Sequence, residues 1–456
     1  MSMNRRGFLK NAAWAGGAVG VGAWSGCMSS SGISARKGGS MAGFRCEPMA
    51  TVRVGVIGVG HRGPGAVRRL SSIPGVEIRA IGDLYEDRVA KQVKVLTDKG
   101  LPAPKGYFGS QDAWRGMCES NVIDLIYITT PWLWHAPMAL YAMRCGKHAV
   151  TEVPAAMTVE QCWQLVDTAE ETRRHCMILE NCCYGFNEMF ALMLCRKGVL
   201  GELVHGEAAY IHDLRASHLR EDHENGYQGQ WRLNWARQFS GNPYPTHGLG
   251  PVCQYMDINR GDKFEYLTSV SSGQFGISRA AAKKYGSNSP QAKAVYRQGD
   301  MNTSIIKTYR GRTIMVQHDT TSPRPYSRLN LISGTKGILS DYPLRVALEP
   351  DPHRWLDDKK LEELKAKYTH PLWAKQGEYA KKMGGHGGMD MLMDMRLIHC
   401  LQNGLPLDIS VYDTALWSSV VGLSVDSVAC DGRPVRVPDF TRGGWKTADP
   451  LEIVTL

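Results

Sequence analysis

The first half of the chain alternates apolar, β-branched runs with helix-like ones. Residues 52–58 (VRVGVIG) form such a run and end on glycine, and a helix-like stretch follows over 64–70. Further strands are expected over 76–83 (VEIRAIGD), 122–130 (VIDLIYITT), 148–153 (HAVTEV) and 177–181 (MILEN). Alternation of this kind predicts an α/β architecture with a doubly wound parallel sheet. The second half changes character. Residues 204–212, 266–276, 302–307, 313–319, 328–333 and 337–340 read as extended, with turns at Arg310-Gly311 and Gly334-Thr335-Lys336. These runs predict hairpins of an open, largely antiparallel sheet in an α+β domain. A loop-rich stretch is expected over 341–385, containing one solvated helix over 358–367. Helical stretches over 389–402 and 412–429 close the chain.

Chemistry enters first at Gly58-Val59-Gly60-His61-Arg62-Gly63, a GxGxxG run. On its own the pattern is weak, but here it follows a strand and opens a helix, which is the context a dinucleotide needs. The first glycine permits the tight turn, the second lets a pyrophosphate approach the backbone, and the helix N-terminus supplies amide donors. Asp83 ends the second strand. A carboxylate there accepts hydrogen bonds from a ribose diol and repels a 2′-phosphate, favouring NAD over NADP. The N-terminal sheet therefore reads as a Rossmann domain over residues 51–182, followed by a second domain over 183–456.

Composition narrows the rest. At 43% hydrophobic and 21% charged, the chain is an ordinary globular protein. The net charge of +10 is spread out, which does not indicate a nucleic-acid partner. Arg5, Arg6 and Lys10 stand in an acid-free opening segment that continues into a soft apolar run and ends at Cys27. Residues 1–27 have the layout of an export signal, and the run from Arg5 to Lys10 resembles a twin-arginine signal. The Ser25-Gly26-Cys27 end resembles a lipobox, making Cys27 a candidate lipid anchor. Residues 28–50 read as a linker, the protein as a periplasmic or cell-envelope one. The twelve cysteines are scattered without a CxxC, so no disulfide framework is expected. No Cys or His cluster has metal-ligand spacing, and no metal is expected.

A nucleotide domain, then an open sheet, with Glu152-Val153-Pro154 at the end of the strand expected over 148–153, resembles the Gfo/Idh/MocA oxidoreductases. Members of that family usually carry a lysine where Val153 stands. The segments Trp132–His135, Glu152-Val153-Pro154-Ala155-Ala156, Tyr244-Pro245-Thr246-His247-Gly248-Leu249-Gly250-Pro251, Asn259-Arg260-Gly261-Asp262 and His386-Gly387-Gly388-Met389-Asp390 resemble glycoside hydrolase family 109. That family comprises NAD-dependent α-N-acetylgalactosaminidases. The resemblance implies hydrolysis through oxidation at C3, elimination, water addition and reduction, with retention and tightly held NAD.

It also implies roles. Gly58, Gly60, His61, Arg62, Gly63, Asp83, Trp132, Leu133, Trp134, His135, Glu152, Val153 and Asn181 match the family's NAD contacts. Tyr210, Arg232, Tyr244, Pro245, Thr246, His247 and Tyr326 match its sugar contacts. His247 is the leading acid/base candidate at the C3 hydroxyl, its ordinary pKa suiting a group that accepts and returns a proton. Tyr184, Tyr244 and Tyr326 are candidates for the C2 proton or the leaving group. Plainer readings stand beside these: Trp132 and Trp134 as packing, Arg232 as a structural ion pair, His386 and Asp390 as a structural i, i+4 link. A sugar or cyclitol dehydrogenase and a non-catalytic surface glycan-binding protein are the alternative functions. The sequence leaves the oligomeric state open, with a homodimer as the candidate assembly because dimers are common in this fold.

Overall fold

The VRVGVI run forms β1 (Val52–Ile57), buried along nearly its whole length, as expected for a strand covered on both faces. The computed structural model describes residues 38–221 and 228–456, so the export signal and Cys27 lie outside the described residues. After β1 come α1 (Gly63–Leu70), β2 (Val76–Gly82), α2 (Glu86–Thr97), β3 (Lys105–Tyr107), α3 (Ala113–Cys118), β4 (Leu125–Ile128), α4 (His135–Arg144), β5 (His148–Thr151), α5 (Val159–Thr172) and β6 (Cys176–Ile178). The six strands are all parallel, in the order β3-β2-β1-β4-β5-β6. The order reverses beside β1, which is the switch point where open α/β sheets bind ligands. β3 was not expected; its three residues are too short for any alternation to show.

The second half opens with α6 (Phe186–Arg196), β7 (Leu203–Ile211), α7 (Arg215–His218), α8 (Trp231–Ala236), α9 (Thr246–Tyr255), β8 (Phe264–Ser271) and α10 (Gly276–Tyr285). It continues through β9 (Met301–Thr308), β10 (Thr313–Asp319), β11 (Leu331–Gly334), β12 (Gly337–Ser340) and β13 (Arg345–Leu348). The chain ends with α11 (Asp358–Tyr368), α12 (Pro371–Met383), α13 (Met389–Asn403), α14 (Val411–Ala429) and β14 (Val435–Arg436). The second sheet runs β13-β12-β11-β7-β10-β9-β8-β14. It is antiparallel except at its centre, where β7 and β10 run parallel.

Several expectations are corrected. The helix expected over 358–367 is α11, capped by Asp357, but the rest of 341–385 is not loop-rich: β13 precedes it and α12, capped by His370, follows it. The extended reading of 266–276 ends early, and the chain turns into α10, whose first amides donate to the Asp300 carboxylate. That cap is supplied from 24 residues downstream, beyond the reach of a local pattern. The run over 328–333 begins as a strand only at Leu331, because Leu329 and Asn330 adopt left-handed backbone conformations. The described part of the 28–50 linker is not free chain. Met41 is 4% exposed, its amide donates to the Tyr412 hydroxyl (2.9 Å), and the Met49 amide donates to Leu401 O. An apolar side chain in this stretch is better buried than solvated.

The two sheets share a continuous core, and α14 is the element that joins them. It is apolar around most of its circumference and largely buried. Its few hydroxyls accept backbone amides from both sheets and their flanking turns. Thr414 takes Ile178 N–H (2.9 Å), Ser418 takes Ala155 (3.1 Å), Ser424 takes Asn242 (2.8 Å) and Ser427 takes Ser269 (2.8 Å). Buried amides left without partners would each cost about 1–3 kcal/mol. The helix starts at a capping box, Ser410 with Asp413, and Asp413 also receives Arg260 at 2.6 Å. The border expected at 182/183 therefore falls inside a buried 3-10 turn, Asn181–Tyr184.

Downstream of α14, Arg442 is the bolt that holds the C-terminal segment to α5. Its guanidinium contacts Asp167 and lies 2.8 Å from Glu170 Oε2; the Arg442 and Glu170 side chains are 4% and 0% exposed. Replacing one member of a buried pair strands the other charge. Arg442→Met is expected to lower stability by about 3–5 kcal/mol, read as a lower urea midpoint with unchanged slope.

Candidate active site

The glycine loop is built around what its glycines lack. Gly58 takes φ +90°, and a methyl on Gly63 would lie 2.2 Å from Gly58 O. The loop is held from below by Asp83, whose Oδ2 accepts the Val59 amide (2.8 Å) and whose Oδ1 accepts Tyr85 N–H (3.2 Å). Arg88 stands 3.6 Å from the same carboxylate. This strand–loop–helix cradle at the switch point fits a dinucleotide, with α1's amides facing the pyrophosphate position.

Arg62 leaves the loop into a chain of buried charges. Its Nε donates to Glu152 Oε1 (2.8 Å), and its Nη1 lies 3.2 Å from Asp390 Oδ2. Asp390, at the start of α13, also receives the Asn181 amide and pairs with Arg69 (3.4 Å) and His386 (3.0 Å). One turn on, Asp394 binds Arg69 Nε (2.7 Å) and the Tyr127 hydroxyl (2.9 Å). Burial pushes the Asp390 carboxyl up, but the His386 hydrogen bond and the Arg62 and Arg69 charges hold it far below the usual carboxylate range. At Asp394 burial wins over Arg69, and the carboxyl rises. Glu152, Asn181, Arg62, His386 and Asp390 thus meet, although the sequence connects His386 to Asp390 alone.

The Trp132–His135 segment divides. Trp132 is 5% exposed and packs edge-on to Trp231 (4.8 Å) and near Tyr244 (5.9 Å). Leu133 is 57% exposed, on the open side, and Trp134 is partly buried against the core. His135 is a correction. Its two ring nitrogens lie 2.7 Å from Pro154 O and 2.7 Å from Thr130 O, so the ring fastens the Val153-Pro154 turn beside β4 and is not available to a ligand. Burial lowers its pKa. Val153 is 2% exposed, its side chain in the core. His61 is exposed on the loop, and desolvation together with the neighbouring Arg62 charge lowers its pKa.

On the other side of the site, α9 is brought in by its glycines. A methyl on Gly248 would meet Ala209 N of β7 at 2.3 Å, and one on Gly250 would meet Glu180 Cγ at 3.0 Å. This close approach places His247 Nδ1 2.7 Å from Glu180 Oε1. Glu180 is fully buried. Burial pushes its carboxyl up, but the neighbouring His247 outweighs that and holds it down. Thr246 and Pro245 form the buried start of the same helix. Tyr210 on β7 forms the floor: its ring is 4.5 Å from Tyr244, 5.5 Å from His247 and 6.2 Å from Tyr326. Arg232 lies over Trp132 (4.9 Å) and Tyr244 (5.0 Å), close enough for cation–π attraction. Beside it a small cleft lined by Leu233, Ile277 and Tyr296 reaches His218 and His318, whose pKa values burial pushes down to about 3. Both stay neutral near the Arg232 charge.

Tyr184 is the second correction. Its hydroxyl donates to Asp408 (3.0 Å), itself paired with Arg396 at 2.7 Å. The ring belongs to the core under α13, not to the cluster around His247. Glu180, Arg328 and Glu188 were missed. Glu180 had a signal: it lies two residues past the end of β6, and ligands collect at the carboxyl ends of parallel strands. Glu180, Cys182 and His247 also bring ligand-type atoms within 4.8 Å of one another, a grouping invisible in spacing because His247 lies far along the chain. Cysteines among the described residues are all free.

Comparison with known proteins gives a consistent result. The family description "Glycosyl hydrolase 109, C-terminal domain" matches residues 184–447, and "Oxidoreductase family, NAD-binding Rossmann fold" matches residues 52–179. The chain is similar to a Glycosyl hydrolase family 109 protein of Shewanella pealeana, 48% identical over 100% of both chains. It is similar to an Alpha-N-acetylgalactosaminidase of Bacteroides fragilis, 49% identical over 89% of this chain and 95% of that one. Among solved structures, Levoglucosan dehydrogenase in complex with NADH and levoglucosan shares the fold at TM-score 0.64 and 19% identity, covering 85% of this chain and 100% of that one.

The cradle makes its own demand. Gly63→Ala should force the loop off Gly58 O, so that NAD released by acid from the purified protein falls at least about ten-fold per chain while far-UV circular dichroism stays unchanged.

Proposed function

This chain belongs to glycosyl hydrolase family 109, and on that footing we propose how its residues divide the work. It is an NAD-dependent glycosidase. The relative named Alpha-N-acetylgalactosaminidase supports terminal α-linked N-acetylgalactosamine as the sugar removed. The observation that carries the reading is the Glu180–His247 pair at 2.7 Å, a backed imidazole beside the ligand edge of a dinucleotide sheet.

Held at the Gly58–Gly63 loop with Arg62 and Glu152 beside it, NAD would supply a reversible hydride acceptor for C3 of the sugar, with no net redox change. His247 takes the C3 hydroxyl proton on Nε2, the nitrogen opposite the one facing Glu180. Glu180 fixes the ring and offsets the imidazolium charge, as a buried carboxylate does for a general base. A ketone at C3 acidifies the C2 proton. Tyr244 receives that proton as a phenolate: burial pushes its pKa up, and the Arg232 guanidinium, 5.0 Å from its ring, acts against that. Tyr326 serves the leaving oxygen. Tyr210 and Trp132 wall the sugar, apolar faces that also thin out water. Water then adds at C1, the proton transfers reverse, and configuration is retained.

The acid-free opening segment with Arg5-Arg6 supports twin-arginine export to the periplasm or cell envelope, with Cys27 as a lipid anchor. A route that carries folded protein suits a cofactor that is never exchanged. Val270 and Ile305, exposed on the open side of the second sheet, support a homodimer through that face.

Purified protein given p-nitrophenyl α-N-acetylgalactosaminide, with no NAD added, should release nitrophenol without net NADH. His247→Ala should abolish release, and Glu180→Gln should lower kcat about 10²–10⁴-fold. NADH accumulating from free sugar would instead identify a dehydrogenase, and neither signal a binding protein. Product formed in heavy water should carry deuterium at C2; product without it rules out the elimination route.

A further inference from the structure

Tyr326 and His247 flank Tyr210, and each is backed by a buried charge of a different sign. His247 has Glu180 behind it. Behind Tyr326 is Arg328, whose Nη1 donates to the Tyr326 oxygen at 2.9 Å. Arg328 is 8% exposed and Glu188 3%. Arg328 Nε donates to Glu188 Oε1 (3.0 Å), and Nη2 donates to the same atom. The guanidinium is thereby fixed in its plane. Its carbon lies 5.5 Å from the Tyr326 ring centre and 5.4 Å from that of Tyr342.

The donor inventory settles the direction of the Tyr326 bond. Arginine has no acceptor, so the phenolic oxygen accepts and its own proton points elsewhere. The groups facing Tyr326 are Tyr210 and His212 from β7, Tyr342 from the turn before β13, Cys182 from the 3-10 turn, and Arg328 with Glu188 behind it. Burial pushes the His212 pKa down, so of the groups touching Tyr326, Arg328 alone is a fixed cation. Burial pushes the Tyr326 phenol up, and Arg328 acts against that.

We propose that Arg328 is a positioning residue for glycoside cleavage: seated on Glu188, it holds the Tyr326 oxygen and compensates the charge left there when Tyr326 protonates the departing glycosidic oxygen. The proposal rests on the glycosidase reading above. In the step, the Tyr326 proton moves to the glycosidic oxygen and the C1–O bond breaks with its electron pair on that oxygen. The pair of the C2–H bond closes a C1–C2 double bond as the Tyr244 phenolate takes the C2 proton and becomes the phenol. The phenolate at Tyr326 meets the Arg328 N–H, a charge-assisted bond stronger than the neutral one it replaces. Tyr326 regains its proton from the water that later adds at C1. Each flanking group thus has the counter-charge its task requires: a carboxylate behind the group that gains a proton, a guanidinium behind the group that loses one.

The test uses leaving groups of different need. Phenyl and 2,4-dinitrophenyl α-N-acetylgalactosaminides are given to the NAD-loaded enzyme, and kcat is compared in wild type, Arg328→Gln, Tyr326→Phe and the double variant. Phenoxide needs the proton; dinitrophenoxide leaves without it. Arg328→Gln should lower kcat about 100-fold on the phenyl glycoside and less than about 10-fold on the dinitrophenyl one. The double variant should lose no more than Tyr326→Phe alone, because the two groups act as one unit. Equal losses on both substrates, or losses that multiply in the double variant, overturn the proposal. If Arg328→Gln does not fold, the pair Arg328→Gln with Glu188→Gln leaves no buried charge unpaired and carries the same comparison, with the same two results deciding it. Wild type inactive on both substrates overturns the glycosidase reading itself. An active wild type with even losses overturns only the role of Arg328.

Discussion

The Glu180–His247 contact is the joint at which the two halves of the molecule become one site. Glu180 leaves the end of a parallel strand, and His247 sits in the first turn of a helix lying on the other sheet. They can meet at 2.7 Å only because Gly248 and Gly250 let that helix sink against β7 and the 3-10 turn. A methyl at either position would push the imidazole outward. A proton acceptor displaced by even about 1 Å from its partner loses much of its effect. The motif's glycines are therefore as much part of the chemistry as its histidine.

The C-terminal helices do for the cofactor side what α9 does for the sugar side. Asp390 and Asp394 project from α13 into a bed of Arg62, Arg69, Asn181 and Tyr127. Four of those six side chains come from the first sheet and the segments flanking it, so the dinucleotide cradle is complete only after the last quarter of the chain has folded back. Buried ion pairs of this sort contribute little net stability over apolar packing, but their directionality admits few alternative arrangements. A helix positioned by such bonds keeps Arg62 in one place at the mouth of the cradle. The hydroxyl stripe on α14 works on the same principle with neutral groups, each one answering a backbone amide that the sheets leave open.

Much of the architecture was legible in local pattern. The β1, β2, β4 and β5 runs, the glycine loop, Asp83, and the closing helices α13 and α14 follow from periodicity and turn chemistry. The errors have particular causes. α10 is capped by Asp300, which no local pattern connects to it, and in the 341–385 stretch the helix over 358–367 was read while β13 and α12, which starts at Pro371, were not. The left-handed residues Leu329 and Asn330 are not glycines, and no pattern announces them. Tyr184 looks like a site residue because it adjoins one, yet the 3-10 turn directs it to Asp408. His135 lies in a segment resembling the family's cofactor contacts, yet its ring is consumed by two carbonyls.

By itself, the sequence determined the elements and the kind of chemistry. Periodicity reflects burial, glycine runs reflect backbone shape, and a long specific motif such as YPTHGLGP carries its own history. Only the tertiary structure decided which charges stand behind which reactive groups. Glu180 behind His247, Arg328 behind Tyr326 and Asp390 beside Arg62 are separated by 67, 2 and 328 residues, and Arg328 itself is anchored 140 residues away on Glu188. Electrostatic pairing depends on distance in space and on local burial. A linear pattern holds neither, whereas packing supplies both at once.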